Sequence, residues 1–186
     1  MLFCKKILTA ALILLASIYA HAGNVLEAKV ENKDKRYFVS LEVILNADTQ
    51  RVYDLLTNYD KLTLISDSIK ESNIIYSLSD KDHRVSITTK ACVTFFCKTI
   101  RQVQDVEELP GMVIVTTSIP TKSDVDYAHA RWKITAEDGL TRVSYSSDLK
   151  PSFWVPPVIG PPLIESALRS EALAVIEGLE NQAQKR

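Results

Sequence analysis

The densest set of ionisable side chains lies in one short stretch, and its residue types are those that enzymes use for proton transfer. The set comprises Asp124, Asp126, Tyr127, His129 and Arg131. A carboxylate or an imidazole here could serve as the base for enolate chemistry. The alternation of a β-strand argues against that role, because His129 and Arg131 then share the outer face of the sheet. Asp124 and Asp126 begin the strand and fit a turn, so no residue is predicted to be catalytic.

The rest of the sequence lacks the motifs that mark common reactive sites. It contains no nucleophile elbow, phosphate-binding loop or metal-ligand cluster. His83 falls in the turn "SDKDHR" and is expected to be solvated. The formal net charge is −1, without the basic stripe that is typical of nucleic-acid binding. We therefore expect no metal, no cofactor and no nucleic-acid partner.

The N-terminus has the pattern of a secretory signal. Lys5 and Lys6 precede an apolar run at residues 7–19, and the small-residue triplet "AHA" follows and ends at Ala22. This pattern predicts cleavage after Ala22. The alternative is an uncleaved anchor, but the run is shorter than the roughly 20 residues that cross a bilayer. We therefore expect a periplasmic or secreted chain in which residues 1–22 are removed and residues 23–186 form one domain.

Cys92 and Cys97 flank the tetrapeptide "VTFF" and are the two cysteines of the expected mature chain. In an exported protein, an even pair at close spacing indicates a disulfide bond. Metal binding is the weaker alternative, because two thiols without nearby histidine or carboxylate ligands make a poor zinc site. We expect the bridge, which on the chain-entropy account adds roughly 2 kcal/mol to the free energy of unfolding.

The elements that must position these side chains are predicted to form a mostly antiparallel sheet. Strand-like runs cover residues 25–30 and 37–45, and almost all of 68–150, with turn signals at "LSDKD", "LPG", "PTKSD" and "AEDG". One face of these strands is apolar or small and the other is polar, so the polar face should be wet. The inward set is Val85, Ile87, Thr89, Ala91, Ala128, Ala130, Trp132, Ile134, Val143, Tyr145 and Leu149.

Helices are predicted at two places. Asp48 or Thr49 can cap a short helix whose apolar residues face inward, and a second helical turn is expected around residues 60–64. Pro161 and Pro162 suit the first turn of a last helix of about 20 residues. Its apolar stripe must lie on the apolar face of the sheet. The stripe consists of Ile164, Leu168, Ala172, Val175 and Leu179.

Two blocks of the sequence carry a family resemblance. The first is "EVILNADTQRVYDLLTNYDKL", and the second is "DVDYAHARWKITAEDGLTRVSYSSDLKPSFWVPPVIGPPLIESAL". They resemble the START-like (SRPBCC) polyketide cyclase and coenzyme-Q-binding families. The order of the elements, together with this resemblance, implies an α+β helix-grip fold of the START/Bet v type. We expect a curved antiparallel sheet of about seven strands wrapped around a long C-terminal helix, with two short helices after the first main strand.

The resemblance implies a hydrophobic ligand but does not decide the chemistry. The superfamily includes lipid carriers, quinone binders, ring cyclases and plant ligand-binding proteins, and a shared fold does not settle function. Our first hypothesis is a monomeric periplasmic carrier for a lipid, an acyl chain or an isoprenoid quinone. The alternative is an enzyme of the polyketide cyclase or dehydratase type. A protein-interaction module that uses the outer face of the sheet is a third class.

A ligand cavity is expected where inward side chains are too small to close the gap between sheet and helix. The alternative is that large neighbours such as Trp132, Phe95 or Phe96 fill this space. Gln102 and Gln104 are expected to face inward, where they could bind a ligand carbonyl or headgroup, or bond to each other or to water. The predicted cavity residues are Thr89, Ala91, Gln102, Gln104, Ala128, Ala130, Trp132, Tyr145 and Leu168.

The stretch "PSFWVPPVIGPP" joins the last strand to the last helix and is expected to border the cavity mouth. Its prolines hold an extended path at low entropic cost. Its aromatic side chains can cap the cavity or make transient contact with a membrane surface. For Phe153, core packing under the helix N-terminus is the alternative. The predicted mouth residues are Phe153, Trp154, Val158 and Asp126.

Overall fold

Eight antiparallel strands form one sheet, and a 25-residue helix lies across it. The computed structural model describes residues 24–93 and 96–185, so the predicted signal segment and Phe95 lie outside the described residues. The strands are β1 (Asn24–Lys33), β2 (Arg36–Leu45), β3 (Ile69–Ser77), β4 (Asp82–Val93), β5 (Phe96–Leu109), β6 (Val113–Ser118), β7 (Val125–Glu137) and β8 (Leu140–Pro151). The helices are α1 (Thr49–Thr57), the 3-10 helices Tyr59–Leu64 and Pro120–Lys122, and α2 (Gly160–Gln184).

The sheet runs in the order β1-β2-β8-β7-β6-β5-β4-β3, so β1 and β3 are its edges. The architecture is the expected helix-grip fold, with eight strands rather than about seven. The strand predicted at residues 25–30 is β1, which lies at the sheet edge and pairs with β2 through a two-residue turn at Asp34 and Lys35. Both turn residues have positive φ, of 53° and 63°. That turn geometry matches the right-handed twist of the flanking strands.

The second strand and the first helix build the centre of the core. Side chains of β2 alternate, and its inward set from Tyr37 to Leu45 is at most 5% exposed. Asp48 caps α1 by accepting a hydrogen bond from the Arg51 backbone N–H, at 2.9 Å. The helix then buries Val52 and Leu56 against the sheet. Local capping and apolar spacing therefore explain why α1 begins here and which face it presents.

Helix α2 is held closely in its C-terminal half and more loosely before it. Ile176 and Leu179 are buried, whereas Ile164 and Leu168 are half-buried. At Gly178 the helix approaches the preceding chain so closely that an added Cβ would lie 1.9 Å from the carbonyl oxygen of Ile65. Only glycine fits such an approach without displacing one of the two segments.

Two carboxylates attach α2 to the segments that lead into and out of the short helices. Glu171 accepts hydrogen bonds from the hydroxyls of Ser66, at 3.0 Å, and Ser68. One turn from its end, Glu180 accepts a hydrogen bond from the Asn46 backbone N–H, at 2.8 Å. These contacts fix the position of the helix along the sheet, because each joins segments far apart in sequence.

The strand register gives the sheet two distinct ends. We call the tip the end where Cys92 pairs with Cys97 and where Val125 pairs with Pro151. The base is the opposite end, where Leu45 pairs with Thr141 and where β5 turns into β6 after Leu109. Helix α2 starts near the tip, after β8 ends, and its last turns reach the base beside Asn46.

Candidate functional site

A cavity of about 210 Å³ lies between the inner face of the sheet and the helices. The helical side of its wall comes from α1, the following 3-10 helix and one residue of α2. These lining residues are Leu56, Tyr59, Leu62, Ile65 and Val175. The opposite side comes from strands β3 to β8, where side chains alternate and every second residue faces inward. The cavity is therefore a space that the helix grip leaves open above small sheet residues.

The structure brings six of the predicted cavity residues to this wall. They are Gln102, Gln104, Ala128, Ala130, Trp132 and Tyr145. Thr89, Ala91 and Leu168 do not border it. Thr89 and Ala91 lie further toward the tip. Thr89 still pairs with Ile69 on β3, and beyond it β4 and β5 continue as a two-stranded arm that contains Ala91. Leu168 lies two turns before Val175, in the half of α2 that is held less closely.

The residues on the helical side of the wall were not predicted from the sequence to line a cavity. Leu56 was expected to face inward, but as part of the core rather than as part of a cavity. Tyr59, Leu62 and Ile65 fall in and just after a 3-10 turn, where helical spacing carries little information. Apolar spacing identifies the buried face of an element, and it does not distinguish a side chain in a filled core from one beside a cavity.

The two glutamines occupy the same wall and bond to each other. Gln102 Nε2 donates a hydrogen bond to Gln104 Oε1, at 3.1 Å. This is one of the two arrangements that the sequence left open. The pair still has unused amide groups, because each glutamine carries two donor hydrogens and an oxygen acceptor. The wall here is thus polar and uncharged.

A row of small and hydroxyl-bearing residues crosses the middle of the sheet. Ala130 on β7 pairs with Ser147 on β8 and with Thr116 on β6. One step toward the base, the rings of Trp132 and Tyr145 lie 4.2 Å apart. The small side chain of Ala130 leaves space between its two neighbours, while the aromatic pair fills the space below. The change from the small Ala130 to the large Trp132 and Tyr145 therefore limits how far the cavity extends toward the base.

The ionisable residues at and before the start of β7 contribute no charged group to the described cavity wall. Asp124 accepts a hydrogen bond from the Arg101 backbone N–H at 2.8 Å, and Asp126 pairs with Lys150 at 3.1 Å. His129 borders the cavity but is exposed, with Nδ1 bonded to the Thr117 hydroxyl at 3.1 Å. Among the described residues that line the cavity, none is Asp, Glu, Lys or Arg. The described wall therefore offers no carboxylate base.

A polar network lies behind the cavity wall at the base. Glu108, with a side chain only 6% exposed, accepts hydrogen bonds from the hydroxyls of Tyr53, at 2.6 Å, and Tyr59, at 3.1 Å. Lys81 donates a third, at 2.8 Å. Burial by itself would raise the pKa of Glu108, but the three donors outweigh it and hold the pKa below its usual value. Because Tyr59 also lines the cavity, this network fixes part of its wall.

His83 belongs to the same network, contrary to the expectation that it is solvated. Its side chain is 13% exposed, and its ring lies 5.4 Å from that of Tyr59. Its Nε2 lies 4.0 Å from Glu108, and its Nδ1 is 2.8 Å from the Ser77 hydroxyl. His83 lies near the start of β4, where it pairs with Ser77 on β3 and with Val106 on β5, and not in the turn that the polar sequence pattern indicated.

The proline-rich segment between β8 and α2, residues 152–159, lies at the tip and does not border the cavity. We call it the mouth segment, after the position that the sequence predicted for it. Trp154 is 78% exposed and Val158 is 85% exposed, whereas Phe153 is half-buried with Lys98 Nζ 5.0 Å from its ring centre. At the end of the segment, Gly160 packs against Val155 so closely that an added Cβ would lie 2.3 Å from Val155 Cγ1. The segment thus exposes Trp154, Val158 and Ile159, while its end is closely packed at Gly160.

The expected disulfide joins Cys92 on β4 to Cys97 on β5. Both cysteines are exposed at the far end of the two-stranded arm. Lys98, which contacts Phe153, directly follows Cys97. The bridge therefore ties together the arm that contacts the mouth segment.

The described part of the chain contains neither a cluster of potential metal ligands nor a candidate membrane-spanning helix. No group of three potential metal ligands occurs among residues 24–93 and 96–185. Within the same residues, no helix has the length and apolar character needed to span a membrane.

Comparison with known proteins agrees with this geometry. Residues 45–172 match the family described as polyketide cyclase / dehydrase and lipid transport. The match begins at the last residue of β2 and ends inside α2, so it covers the mouth segment and every described cavity residue except Val175. A search of curated protein sequences finds no match.

Solved structures of the START superfamily share the fold. An aromatase/cyclase named Zhui from Streptomyces sp. R1128 has a TM-score of 0.70 at 14% identity, covering 81% of this chain and 95% of its own. A START superfamily protein from Mycobacterium smegmatis gives 0.65 at 14% identity, with coverages of 79% and 97%. A STAR-related lipid transfer protein from Xanthomonas axonopodis gives 0.63 at 12% identity, with coverages of 86% and 99%. At these identities the likeness concerns the fold alone.

Proposed function

Since the chain belongs to the polyketide cyclase / dehydrase and lipid transport family, we propose that it binds and carries a hydrophobic small molecule in the cavity under α2. The observation that carries this proposal is the wall itself. It combines apolar side chains with uncharged polar ones, and its described residues include no carboxylate or cation. Such a wall excludes water from an apolar ligand and leaves a few polar groups to orient it.

The size of the cavity limits how much of a ligand it encloses. Its volume of about 210 Å³ is below the range of about 300–1,000 Å³ that is usual for pockets of drug-sized molecules. A compact molecule fits entirely, whereas an acyl chain or an isoprenoid quinone would place one part inside and leave the rest outside. A longer ligand would extend toward the first half of α2, where the inward side chains Ile164 and Leu168 are only half-buried.

Binding is tested with the apolar fluorescent probe N-phenyl-1-naphthylamine and a variant whose cavity is filled. Ala130→Trp places a large ring between Ser147 and Thr116, and Arg131→Trp adds the same ring on the exposed outer face. We expect probe fluorescence to rise with the wild type and with Arg131→Trp, and to stay low with Ala130→Trp. Equal binding by all three folded proteins would mean that the probe binds elsewhere, and the proposal would be wrong.

The second candidate function is an enzyme of the cyclase or dehydratase type that uses the same cavity. Similarity in fold to an aromatase/cyclase supports it. Against it, the described lining includes no Asp, Glu, Lys or Arg, and the one lining imidazole is bonded to the Thr117 hydroxyl. A catalytic base would therefore have to come from a tyrosine or from His129, neither of which is placed as a base in this wall. The carrier is the better supported of the two.

We further propose that the mouth segment contacts a membrane surface while ligand is exchanged. Trp154, Val158 and Ile159 are exposed at the tip, and an indole ring is well suited to the boundary between headgroups and acyl chains. Trp154→Ala is expected to slow transfer of the probe from vesicles to the protein. The free energy of unfolding should change by no more than about 0.5 kcal/mol, because the side chain is exposed.

Trp154→Phe is the matched control for this prediction, because it keeps an aromatic ring at the same position. It should retain most of the transfer rate. An unchanged rate for Trp154→Ala, accompanied by a large loss of stability, would assign Trp154 to packing instead of exchange.

Export to the periplasm is the third part of the proposal. The charged and apolar pattern before Ala22 supports it, and so does the Cys92–Cys97 bridge, since disulfides persist in oxidising compartments. Expression of the full chain in a bacterial host should release a mature protein that begins at Gly23. N-terminal sequencing of the periplasmic fraction checks this, and an intact N-terminus in the cytoplasm would contradict it.

A further inference from the structure

One hydroxyl in the cavity wall has no hydrogen-bond partner. Ser147 lines the cavity, and its Oγ is shielded from solvent without any hydrogen bond of acceptable geometry within the described residues. A buried polar atom in this condition costs free energy, so such atoms are rare in native proteins. The cost suggests that the hydroxyl is kept for an interaction that the ligand-free protein does not make.

The surroundings of Ser147 restrict what that partner is. The next inward residue toward the base on β8 is Tyr145, and burial raises the pKa of its phenol. The Ser147 hydroxyl lies close enough to this phenol to act on its pKa in the opposite direction. Ala130 on the adjacent strand leaves open space beside Ser147. The Ser147 hydroxyl makes no hydrogen bond of acceptable geometry with the Tyr145 phenol or with any other described group, so rotation about its χ1 angle can turn it toward this space.

We propose that Ser147 is a specificity-determining residue that donates a hydrogen bond to an uncharged oxygen of the ligand. The cavity then selects apolar molecules that carry an alcohol, ketone or ester oxygen. This inference rests on the proposed function and specifies the chemical class of its ligand. The Gln102–Gln104 pair is a less suitable determinant, because its two side chains already satisfy part of their capacity with each other.

Two other ligand classes are disfavoured by the same wall. A free fatty acid would bring a carboxylate into a space whose described lining holds no cation, and burying an unpaired charge is strongly unfavourable. A plain hydrocarbon would leave the Ser147 hydroxyl unpaired. A site that is built to hydrogen-bond an oxygen discriminates against the analogue that lacks it.

Three bicyclic probes of nearly the same shape test the inference: indane, 1-indanone and indane-1-carboxylate. The sequence has two tryptophans, of which Trp132 lines the cavity. In a Trp154→Phe background, used for every protein compared, Trp132 is the sole tryptophan and reports binding at pH 7. We expect 1-indanone to bind about 2- to 10-fold more tightly than indane, as one neutral hydrogen bond implies. The carboxylate should bind more weakly than either.

Ser147→Ala should remove the preference, so that 1-indanone binds no better than indane while indane itself is unaffected. Ser146→Ala is the matched control, since Ser146 precedes Ser147 and is exposed on the outer face. Thermal unfolding verifies that each variant is folded. Two results would overturn this inference while leaving the proposed function intact. One is that the protein with Ser147 binds indane as tightly as 1-indanone, and the other is that the preference for 1-indanone persists in Ser147→Ala. Failure of all three probes to bind would overturn the proposed function as well.

Discussion

At the scale of single residues, the polar network at the base shows how charge is accommodated behind an apolar wall. Glu108 is nearly buried, yet three donors from different elements surround its carboxylate: Tyr53, Tyr59 and Lys81. Burial and Glu108 together raise the pKa of both phenols, so they remain protonated donors. A residue such as Glu108 could not be identified from the sequence, because its partners come from α1, the 3-10 helix and a turn.

The carboxylate of Glu108 should contribute measurably to stability. Glu108→Gln keeps the shape of the side chain but removes its charge and one of its two oxygen acceptors. The free energy of unfolding at pH 7 should therefore fall by about 1–3 kcal/mol. Glu107→Gln is the control, because Glu107 is exposed on the other face of the same strand. Urea denaturation measures both. A loss for Glu107→Gln as large as for Glu108→Gln would refute the special role of the network.

The pH dependence of this effect follows from the lowered pKa of Glu108. A carboxylate whose pKa is lower in the folded state stabilises the fold above the unfolded pKa of about 4.3, and that stabilisation is lost as the pH falls through the folded pKa. The difference between wild type and Glu108→Gln should therefore be full at pH 6–7 and shrink below about pH 4. Denaturation curves across this range test it, and a difference that grows on acidification would contradict the assignment.

At the scale of elements, the grip of α2 depends on one close approach. Gly178 lies against the Ile65 carbonyl, where an added methyl group has no room. Gly178→Ala favours an isolated helix by about 1 kcal/mol, but we expect a net loss of stability of about 1–3 kcal/mol from the forced displacement. Ser170→Ala, at an exposed position of the same helix, should be neutral or slightly stabilising. Thermal unfolding distinguishes these outcomes, and a more stable Gly178→Ala protein would contradict the close contact.

The two-stranded arm is the second element with a testable role. The Cys92–Cys97 bridge should add roughly 2 kcal/mol to the free energy of unfolding. The double variant Cys92→Ser with Cys97→Ser should lose that amount and also weaken the contact of Lys98 with Phe153, raising protease cleavage in the mouth segment. Limited proteolysis and mass spectrometry with and without reductant measure both effects. Two free thiols in the native exported protein would contradict the bridge.

At the scale of the whole molecule, element order was easier to predict than the cavity. Alternation in β2, the Asp48 cap and the Pro161-Pro162 helix start are local signals, and together with the family resemblance they led to the helix-grip fold. The cavity boundary depends on which small residues face which helix, and therefore on packing between distant segments. This is why Ala130 was identified by its size, whereas Tyr59 and Ser147 were not identified as cavity residues at all.

The central claim is that the cavity under α2 holds an apolar small molecule, and native mass spectrometry of protein purified under mild conditions tests it most directly. The wild type should carry an additional mass that is released by organic solvent, and Ala130→Trp should lack it while remaining folded. The outward control Arg131→Trp should retain it. A wild-type protein that is empty after purification, and that stays empty when incubated with lipid extract, would contradict the account.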